Sequence, residues 1–267
     1  MSKQIGEVIL DVKDISLSFG GVNALSNISF DVREHEVRAI IGPNGAGKSS
    51  MLNCINGVYT PQKGTISFRG KTFDHMDSHE VATMGIARTF QNLALFKGMS
   101  VIDNLMTGRN LRVKSSLLSQ AFRNPFGVWG LGGAEQEEVQ HREFVEHIID
   151  FLEIQAYRKT PVGQLPYGLQ KRVDLGRALS MEPQVLLLDE PMAGMNLEEK
   201  QDMCRFVLDI NDEFGTTVVL IEHDMGVVMD ISDRVVVLDY GKKIGDGTPD
   251  AVRQNPDVIS AYLGTSH

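Results

Sequence analysis

The first residues that could do chemistry form a run of nine near the start of the sequence. They are Gly42, Pro43, Asn44, Gly45, Ala46, Gly47, Lys48, Ser49 and Ser50, and they fit the phosphate-binding pattern G-x-x-x-x-G-K-[S/T]. Such a turn directs backbone N–H groups inward, and with the start of a following helix it binds anionic oxygens. We predict a nucleoside triphosphate site in which Lys48 reaches the β- and γ-phosphates, Ser49 ligates Mg²⁺ and Ser50 lies near the α-phosphate. The alternative is a glycine-rich turn that fits by chance, which the apolar run before it and the helical pattern after it disfavour.

Carboxylates and an imidazole follow two other apolar runs. Asp189 and Glu190 end the run that begins at Val185, and His223 follows the run at residues 217–221. Parallel strands place ligand-facing residues at their carboxyl ends. We therefore predict that Asp189 holds Mg²⁺ through water and that Glu190 accepts the proton of the attacking water. A lone histidine is more often structural, but at a strand end His223 can meet the γ-phosphate, and we favour that role.

Two further motifs give weaker signals. Phe19 stands before two glycines, where its ring could stack on a base or could be buried in a sheet. His75 and His79 lie four residues apart among acidic residues. No third ligand accompanies them, so we interpret this segment as the exposed start of a helix capped by Ser78 rather than as a metal site.

Secondary-structure elements must position these residues, and the apolar periodicity of the sequence predicts that the elements form an α/β fold. Buried strands of a parallel sheet are expected at residues 37–41, 185–188, 217–221 and 234–238. Short strands at residues 8–12, 15–19 and 28–32 predict an N-terminal antiparallel β-subdomain, and further short strands are expected at residues 64–68 and 86–90. From about residue 93 to residue 180 the helical period dominates. We therefore predict one nucleotide-binding domain over residues 1–267 with a helical subdomain inserted into it.

Composition and charge exclude several classes of protein. The 267 residues are 42% hydrophobic and 23% charged, which is ordinary for a globular protein. The net charge of −9 argues against a surface for nucleic acid or anionic lipid, so membrane contact should go through a protein partner. Cys54 and Cys204, the two cysteines, suggest neither a disulfide framework nor a zinc site, and a reducing cytosol fits best. Neither a membrane-spanning run nor a signal peptide is expected.

A segment between the triphosphate loop and the acidic strand end points to a family. Residues 165–179 have the sequence LPYGLQKRVDLGRAL, and with this order of motifs the chain resembles an ABC-transporter ATPase subunit along nearly its whole length. The resemblance implies that two chains form a dimer with two ATP molecules at its interface. Each ATP site would then be composite.

The resemblance also implies roles for individual residues. Phe19 resembles the adenine-stacking aromatic residue, and Gln91 resembles the glutamine that senses Mg²⁺, water and the membrane subunit. Asp189 and Glu190 resemble the Mg²⁺-associated aspartate and the catalytic glutamate, and His223 resembles the switch histidine. The segment that would meet the γ-phosphate bound by the opposite chain consists of Leu165, Pro166, Tyr167, Gly168, Leu169 and Gln170.

Two departures from the family pattern are informative. The usual signature is Leu-Ser-Gly-Gly-Gln, but Pro166, Tyr167 and Leu169 replace its Ser, first Gly and Gln. Only backbone N–H groups and the positive end of the following helix remain to contact the γ-phosphate. Residues 193–196 resemble the loop that crosses the dimer interface, and Asn196 replaces its usual aspartate. With the ending NPDVISAYLG at residues 255–264, these features resemble the branched-chain or hydrophobic amino acid uptake group.

The leading interpretation is an ATPase at the cytoplasmic face of the plasma membrane that drives solute import. Its partners would be a second ATPase chain, permease subunits and, indirectly, an extracytoplasmic solute-binding protein. An ATPase of a related exporter, such as the one that energises lipopolysaccharide extraction, stays open as an alternative. A soluble clamp on nucleic acid or ribosomes is disfavoured by the acidic balance and the lack of a basic arm. A P-loop kinase would not require the signature segment or His223.

Overall fold

The structure is a computed structural model that describes residues 4–73, 76–89, 93–112 and 132–263. The chain divides into two compact units, one comprising Met1–Gln91 with Gln184–His267 and the other comprising Asn92–Pro183. Of the residues singled out from the sequence, Gln91 and His75 lie outside the described residues.

Within the described residues, every strand belongs to the first unit. In chain order they are β1 (Val8–Phe19), β2 (Val22–Arg33), β3 (Val37–Ile41), β4 (Lys63–Phe68), β5 (Lys71–Phe73), β6 (Ile86–Arg88), β7 (Val185–Asp189), β8 (Thr217–Ile221), β9 (Arg234–Asp239) and β10 (Lys242–Gly247). They form a four-stranded sheet of order β2-β1-β4-β5 and a six-stranded sheet of order β10-β9-β3-β8-β7-β6. The first sheet is antiparallel, and in the second every neighbouring pair is parallel except β9 and β10.

Helices occur in both units. They are α1 (Lys48–Ile55), α2 (Ser78–Thr83), α3 (Val101–Gly108), α4 (Gly132–Phe151), α5 (Tyr167–Leu179), α6 (Leu197–Glu213), α7 (Met225–Ile231), α8 (Pro249–Arg253) and α9 (Pro256–Leu263). Short 3-10 helices lie at Arg109–Leu111, Gln155–Tyr157 and Val162–Gln164. No helix within the described ranges is long and apolar enough to cross a lipid bilayer.

The predicted fold class is confirmed, with differences in its β-structure, among them the three-residue strand β5, which was not predicted. The runs predicted as separate strands at residues 8–12 and 15–19 form one strand, β1, in which the pairing register shifts between Val12 and Ile15. Asp14 lies at this irregularity with a φ of 54°, so a bulge interrupts the alternation without ending the strand. Strand β10 was not predicted because its sequence, KKIGDG, lacks the apolar alternation of a strand.

The core of the first unit fixes the elements that carry the predicted site. Strands β3, β7 and β8 are buried along their whole length, which explains why they are continuous apolar runs. One hydrophobic cluster joins residues of both sheets to α1, among them Ile28, Ile40, Leu52 and Leu187. Each such side chain contributes about 1.5 to 3 kcal/mol by its burial. The turn between β3 and α1 is therefore anchored at both ends.

The second unit is helical over its described residues. The backbones of α3 and α5 approach each other so closely that a Cβ added at Gly108 would lie 2.3 Å from the carbonyl oxygen of Arg177. A buried arginine, Arg109, donates from Nε to Nδ1 of His141 at 3.0 Å and from Nη1 to the carbonyl of Ser180 at 2.8 Å. These contacts link α3, α4 and the end of α5.

Candidate active site

The turn between β3 and α1 requires glycine at two positions for steric reasons. Gly42 has a φ of 150°, and a Cβ added to it would lie 2.0 Å from the carbonyl oxygen of Leu238. Gly47 has a φ of 101°, and a Cβ added to it would lie 2.6 Å from the carbonyl oxygen of Ala24. Neither position can hold a side chain without moving backbone. The turn is therefore formed by backbone groups, as a phosphate-binding loop requires.

Backbone hydrogen bonds connect this turn to the residue before β10 and, through it, to β2. The N–H of Ala46 donates to the carbonyl of Pro43 at 3.1 Å, and the carbonyl of Ala46 accepts from the N–H of Gly241 at 3.0 Å. The carbonyl of Gly241 in turn accepts from the N–H of Ser26 at 2.7 Å. Asn44 and Gly45 are exposed at the top of the turn. The loop is thus rigid at its base and accessible at its tip.

Lys48 is buried inside the turn rather than extended into solvent. Its Nζ donates to the carbonyl oxygens of Gly42 at 2.8 Å and Pro43 at 3.0 Å. Burial lowers the pKa of Lys48 from its ordinary value, and the charges of Glu190 and Asp189 oppose this shift. The ammonium group therefore lies within electrostatic reach of both strand-end carboxylates, at the point where a bound phosphate needs a cation.

The first turn of α1 offers further groups for an anionic ligand. Gly47 is the N-cap of this helix and makes no side-chain capping hydrogen bond, so no capping side chain satisfies the first N–H groups of the helix. Ser49 is exposed and Ser50 is half-buried in this turn. Exposed hydroxyl and N–H groups at a helix N-terminus suit a phosphate and its metal ion.

Asp189 ends β7 in a buried ion pair that the sequence did not predict. Its Oδ2 accepts from Nη2 of Arg88 at 2.7 Å, and the two side chains are 4% and 6% exposed respectively. The other oxygen, Oδ1, is buried and has no hydrogen-bond partner among the described residues. A buried carboxylate oxygen of this kind normally has a partner. A water molecule of a Mg²⁺ hydration shell would satisfy it, so the residues fit the predicted metal ion.

Glu190 and His223 form a second pair at the ends of adjacent strands. Oε1 of Glu190 lies 2.5 Å from Nε2 of His223, and the backbone N–H of Glu190 donates to the carbonyl of Ile221 at 3.0 Å. Glu190 has a φ of 50°, a left-handed conformation that is uncommon outside glycine and occurs at functional sites. The structure thus brings together two residues, predicted as general base and γ-phosphate contact, that lie 33 positions apart.

Glu222 is a further residue of this region that sequence reasoning left without a role. It is buried; its Oε1 accepts from the N–H of Met192 at 2.9 Å and its Oε2 accepts from the N–H of His223 at 3.0 Å. One carboxylate therefore ties the segment after β7 to the segment after β8. A charged residue directly after an apolar strand was the only local signal for it.

Phe19 is exposed at the end of β1 instead of being buried in the sheet. Its exposed fraction is 47%, and its ring meets the ring of Tyr59 edge to face, with 5.1 Å between centroids. Such a pair holds the ring in place while leaving part of it accessible for stacking. Tyr59, which follows α1, was not predicted to lie there.

The signature segment lies in the second unit, at the start of α5. Pro166 is the N-cap, with an extended backbone and no side-chain capping hydrogen bond, and Tyr167 is 45% exposed. Gly168 and Leu165 are buried, whereas Leu169 and Gln170 are half-buried. Nε2 of Gln170 donates to the carbonyl of Leu165 at 2.8 Å. The segment therefore presents an uncapped helix start with an exposed aromatic ring.

Comparison with known proteins identifies the family. The pattern of the ABC transporter family matches residues 25–193, and a pattern described as "Branched-chain amino acid ATP-binding cassette transporter" matches residues 242–267. The chain is 37% identical to the high-affinity branched-chain amino acid transport ATP-binding protein BraF of Pseudomonas aeruginosa, over 96% of this chain and 98% of that protein. It is 36% identical to the corresponding protein LivG of Escherichia coli K12, over 97% and 99% of the two chains.

A solved structure agrees with these relatives. The ADP conformation of MJ1267, an ATP-binding cassette of an ABC transporter, superposes with a TM-score of 0.80 at 30% identity, covering 96% of this chain and 99% of that one. The predicted resemblance is thus confirmed, and this chain belongs to the ABC transporter family as an ATP-binding, ATP-hydrolysing subunit.

Proposed function

We propose that the chain is the Mg²⁺-dependent ATPase that drives import of branched-chain or other hydrophobic amino acids through membrane permease subunits. The observation that carries the proposal is the grouping of Lys48, Asp189 and the pair of Glu190 with His223 around one backbone turn. The similarity to BraF and LivG along nearly the whole chain supports the choice of solute.

Different residues of the first unit bind ATP, hold Mg²⁺ and activate the attacking water. Lys48 and the N–H groups at the start of α1 bind the phosphates, and Phe19 stacks on the adenine. Ser49, Gln91 and, through water, Asp189 would hold Mg²⁺, which when bound would supply positive charge against the charge that develops on the phosphates. Glu190 takes the proton of the attacking water, and the 2.5 Å contact with His223 orients its carboxylate.

The second unit acts on a neighbouring copy in this proposal. The uncapped start of α5, with Leu165, Pro166, Tyr167 and Gly168, meets the γ-phosphate bound by a second ATPase chain, of the same or a related sequence. An exposed helix N-terminus favours a negatively charged partner. Residues 193–196 cross the interface between the two chains. The two units of each chain thus serve as one ATPase domain.

The remaining partners follow from the transport role. The chain docks on permease subunits at the cytoplasmic face of the membrane, and an extracytoplasmic binding protein delivers the amino acid to them. The net charge of −9 fits attachment through protein rather than through anionic lipid or nucleic acid.

Reconstitution tests this proposal directly. The ATPase, the permease subunits and the binding protein of its own transport system are placed in liposomes, and uptake of labelled leucine and of labelled lysine is measured. We expect leucine uptake that requires ATP and Mg²⁺ and is lost with Glu190→Gln. ATP hydrolysis that neither binding protein nor leucine stimulates, or outward movement of a lipid-linked saccharide, would favour the exporter alternative.

A further inference from the structure

A guanidinium group lies between α1 and β7, which carry two of the residues predicted to hold Mg²⁺, Ser49 and Asp189. Arg88 donates from Nη2 to Oδ2 of Asp189 at 2.7 Å and from Nη1 to Oδ1 of Asn53 at 2.6 Å. Its side chain is 6% exposed. Arg88 appears above only as the ion-pair partner of Asp189, and neither Arg88 nor Asn53 has been assigned a role in binding Mg²⁺ or ATP.

The position of Arg88 follows from the sheet. It is the last residue of β6, which pairs in parallel with β7 so that Arg88 lies opposite Leu187. Asp189 is two residues further along β7 and therefore points to the same face of the sheet as Leu187. The N–H of Thr89 donates to the carbonyl of Leu187 at 3.0 Å, which extends the pairing one residue beyond Arg88.

Asn53 lies on the helix that begins the phosphate site. It is four residues after Ser49 on α1, and residues four apart lie one above the other on the same helix face. A single side chain of β6 thus bonds both the helix that presents Ser49 and the strand that presents Asp189. The planar fork of arginine can hold two acceptors in fixed directions, which the single ammonium group of lysine cannot.

The hydrogen bonds also determine which carboxylate oxygen is left for a ligand. Arg88 occupies Oδ2 of Asp189, and Oδ1 is the buried oxygen that has no hydrogen-bond partner among the described residues. A buried carboxylate needs a compensating charge, and a metal-associated carboxylate needs a fixed orientation. Arg88 meets both needs.

We infer that Arg88 is a positioning residue for the Mg²⁺ of the ATP site, which it serves by orienting Asp189 and by setting the spacing between Asp189 and Ser49 through Asn53. This inference rests on the Mg²⁺-dependent ATP site proposed above. It concerns the affinity for Mg²⁺ in the presence of nucleotide, not the chemical step. Loss of such supporting residues typically lowers metal affinity about 10- to 100-fold.

The test is nucleotide binding by the full chain, measured with a fluorescent, non-hydrolysable ATP analogue in EDTA and during a Mg²⁺ titration. For Arg88→Lys we expect the Mg²⁺ concentration at half-maximal gain in binding to rise about 10-fold or more, with binding in EDTA unchanged. Asn53→Ala, which leaves the ion pair with Asp189 in place, should shift the same midpoint by a smaller factor. Mg²⁺ in excess should restore binding in both variants.

Arg38→Lys is the matched control. Arg38 is a fully buried arginine of the same sheet, paired with Asp246 on β10, and its replacement should lower stability without moving the Mg²⁺ midpoint. An unchanged midpoint in folded Arg88→Lys overturns the inference, as does equal weakening of binding in EDTA and in Mg²⁺. If Arg88→Lys does not fold, an unchanged midpoint in Asn53→Ala overturns it. If the unaltered protein binds the analogue equally with and without Mg²⁺, the proposed metal dependence itself fails.

Discussion

The two regions predicted to contact ATP phosphates are held in different ways. In the first unit, Lys48 bonds the carbonyls of its own loop, Asp189 bonds Arg88, and Glu190 contacts His223. In the second unit, α5 begins without a side-chain cap, and Tyr167 at its start is 45% exposed. The first region is organised by hydrogen-bond partners of the same chain, whereas the second presents groups that another molecule can use. We expect substitutions in the first region to affect the ATP bound by the same chain, and substitutions in the second region to affect the ATP bound by a second chain.

The largest effect is expected for Glu190→Gln, which removes the predicted base and keeps its size. Hydrolysis should slow by about 10²- to 10⁴-fold, the usual contribution of a general base, while ATP binding is retained. The measurement is turnover of purified protein at saturating ATP together with nucleotide affinity. Glu138→Gln, at an exposed glutamate of α4, is the control. Near-normal turnover of Glu190→Gln would show that another group activates the water.

A mixed dimer tests whether the signature segment acts on another chain. Tyr167→Asp places a carboxylate at an exposed helix start and removes a ring whose centroid lies 5.7 Å from Nζ of Lys171. Next to a phosphate at about 4 Å the carboxylate would cost about 1 to 4 kcal/mol. Lys48→Ala removes phosphate binding on its own chain. Each variant alone should hydrolyse ATP poorly, but a mixed dimer contains one site with an intact Lys48 and an intact signature segment.

The measurement is ATP hydrolysis by a co-purified mixed dimer whose two chains carry different tags. Activity clearly above that of both homodimers supports action between chains. Tyr157→Asp is the matched control, since Tyr157 is also exposed (40%) and lies in the second unit outside the signature segment. If homodimeric Tyr167→Asp hydrolyses ATP like the parent, the assignment of the segment to the γ-phosphate is wrong.

A smaller effect is expected at the adenine side of the first region. Phe19→Ala should weaken ATP binding about 5- to 150-fold, because stacking on a base is worth roughly 1 to 3 kcal/mol. Turnover at saturating ATP should be unchanged, since stacking is equal in the ground and transition states. Phe19→Trp should restore affinity, and Phe96→Ala, at another exposed ring, should leave it unaltered. Unchanged affinity with lost turnover would assign Phe19 a structural role.

The sequence predicts the strand ends well because their signals are local. An apolar run followed by Asp189 and Glu190, or by His223, fixes where the sheet ends and which residues lie there. The partners of these residues are not local. Arg88 is 101 positions from Asp189, and its only signal was a charge within a short apolar strand. Which carboxylate it would bond depends on the pairing of β6 with β7, which no single segment encodes.

The start of a helix is also difficult to predict from residue type alone, even when the deciding partner is close in sequence. Ser78 was predicted as the N-cap of α2, but the cap is Asp77, whose side chain accepts from the N–H groups of His79 and Glu80. The carboxylate of Glu80 accepts a hydrogen bond from the N–H of Asp77, which completes a capping box. Both residue types are good caps. The reciprocal bond with Glu80 decides between them, so the prediction of Ser78 was wrong by one residue.

The smallest effect is expected at Asn196, where the family usually has aspartate. Asn196 is the N-cap of α6: its Oδ1 accepts from the N–H of Glu199 at 2.9 Å, and the Glu199 carboxylate accepts from the N–H of Asn196 at 3.0 Å. Asparagine and aspartate cap helices about equally well, and replacement by alanine costs about 0.5 to 2 kcal/mol. We therefore expect Asn196→Asp to leave the free energy of unfolding in urea nearly unchanged, whereas Asn196→Ala lowers it by about 1 kcal/mol. Leu197→Ala, at the exposed next residue, controls for changes in this turn. If Asn196→Asp destabilised the chain as much as Asn196→Ala, repulsion from neighbouring carboxylates would have to outweigh the capping hydrogen bond. The presence of asparagine instead of the family's aspartate would then be explained by electrostatics within one chain.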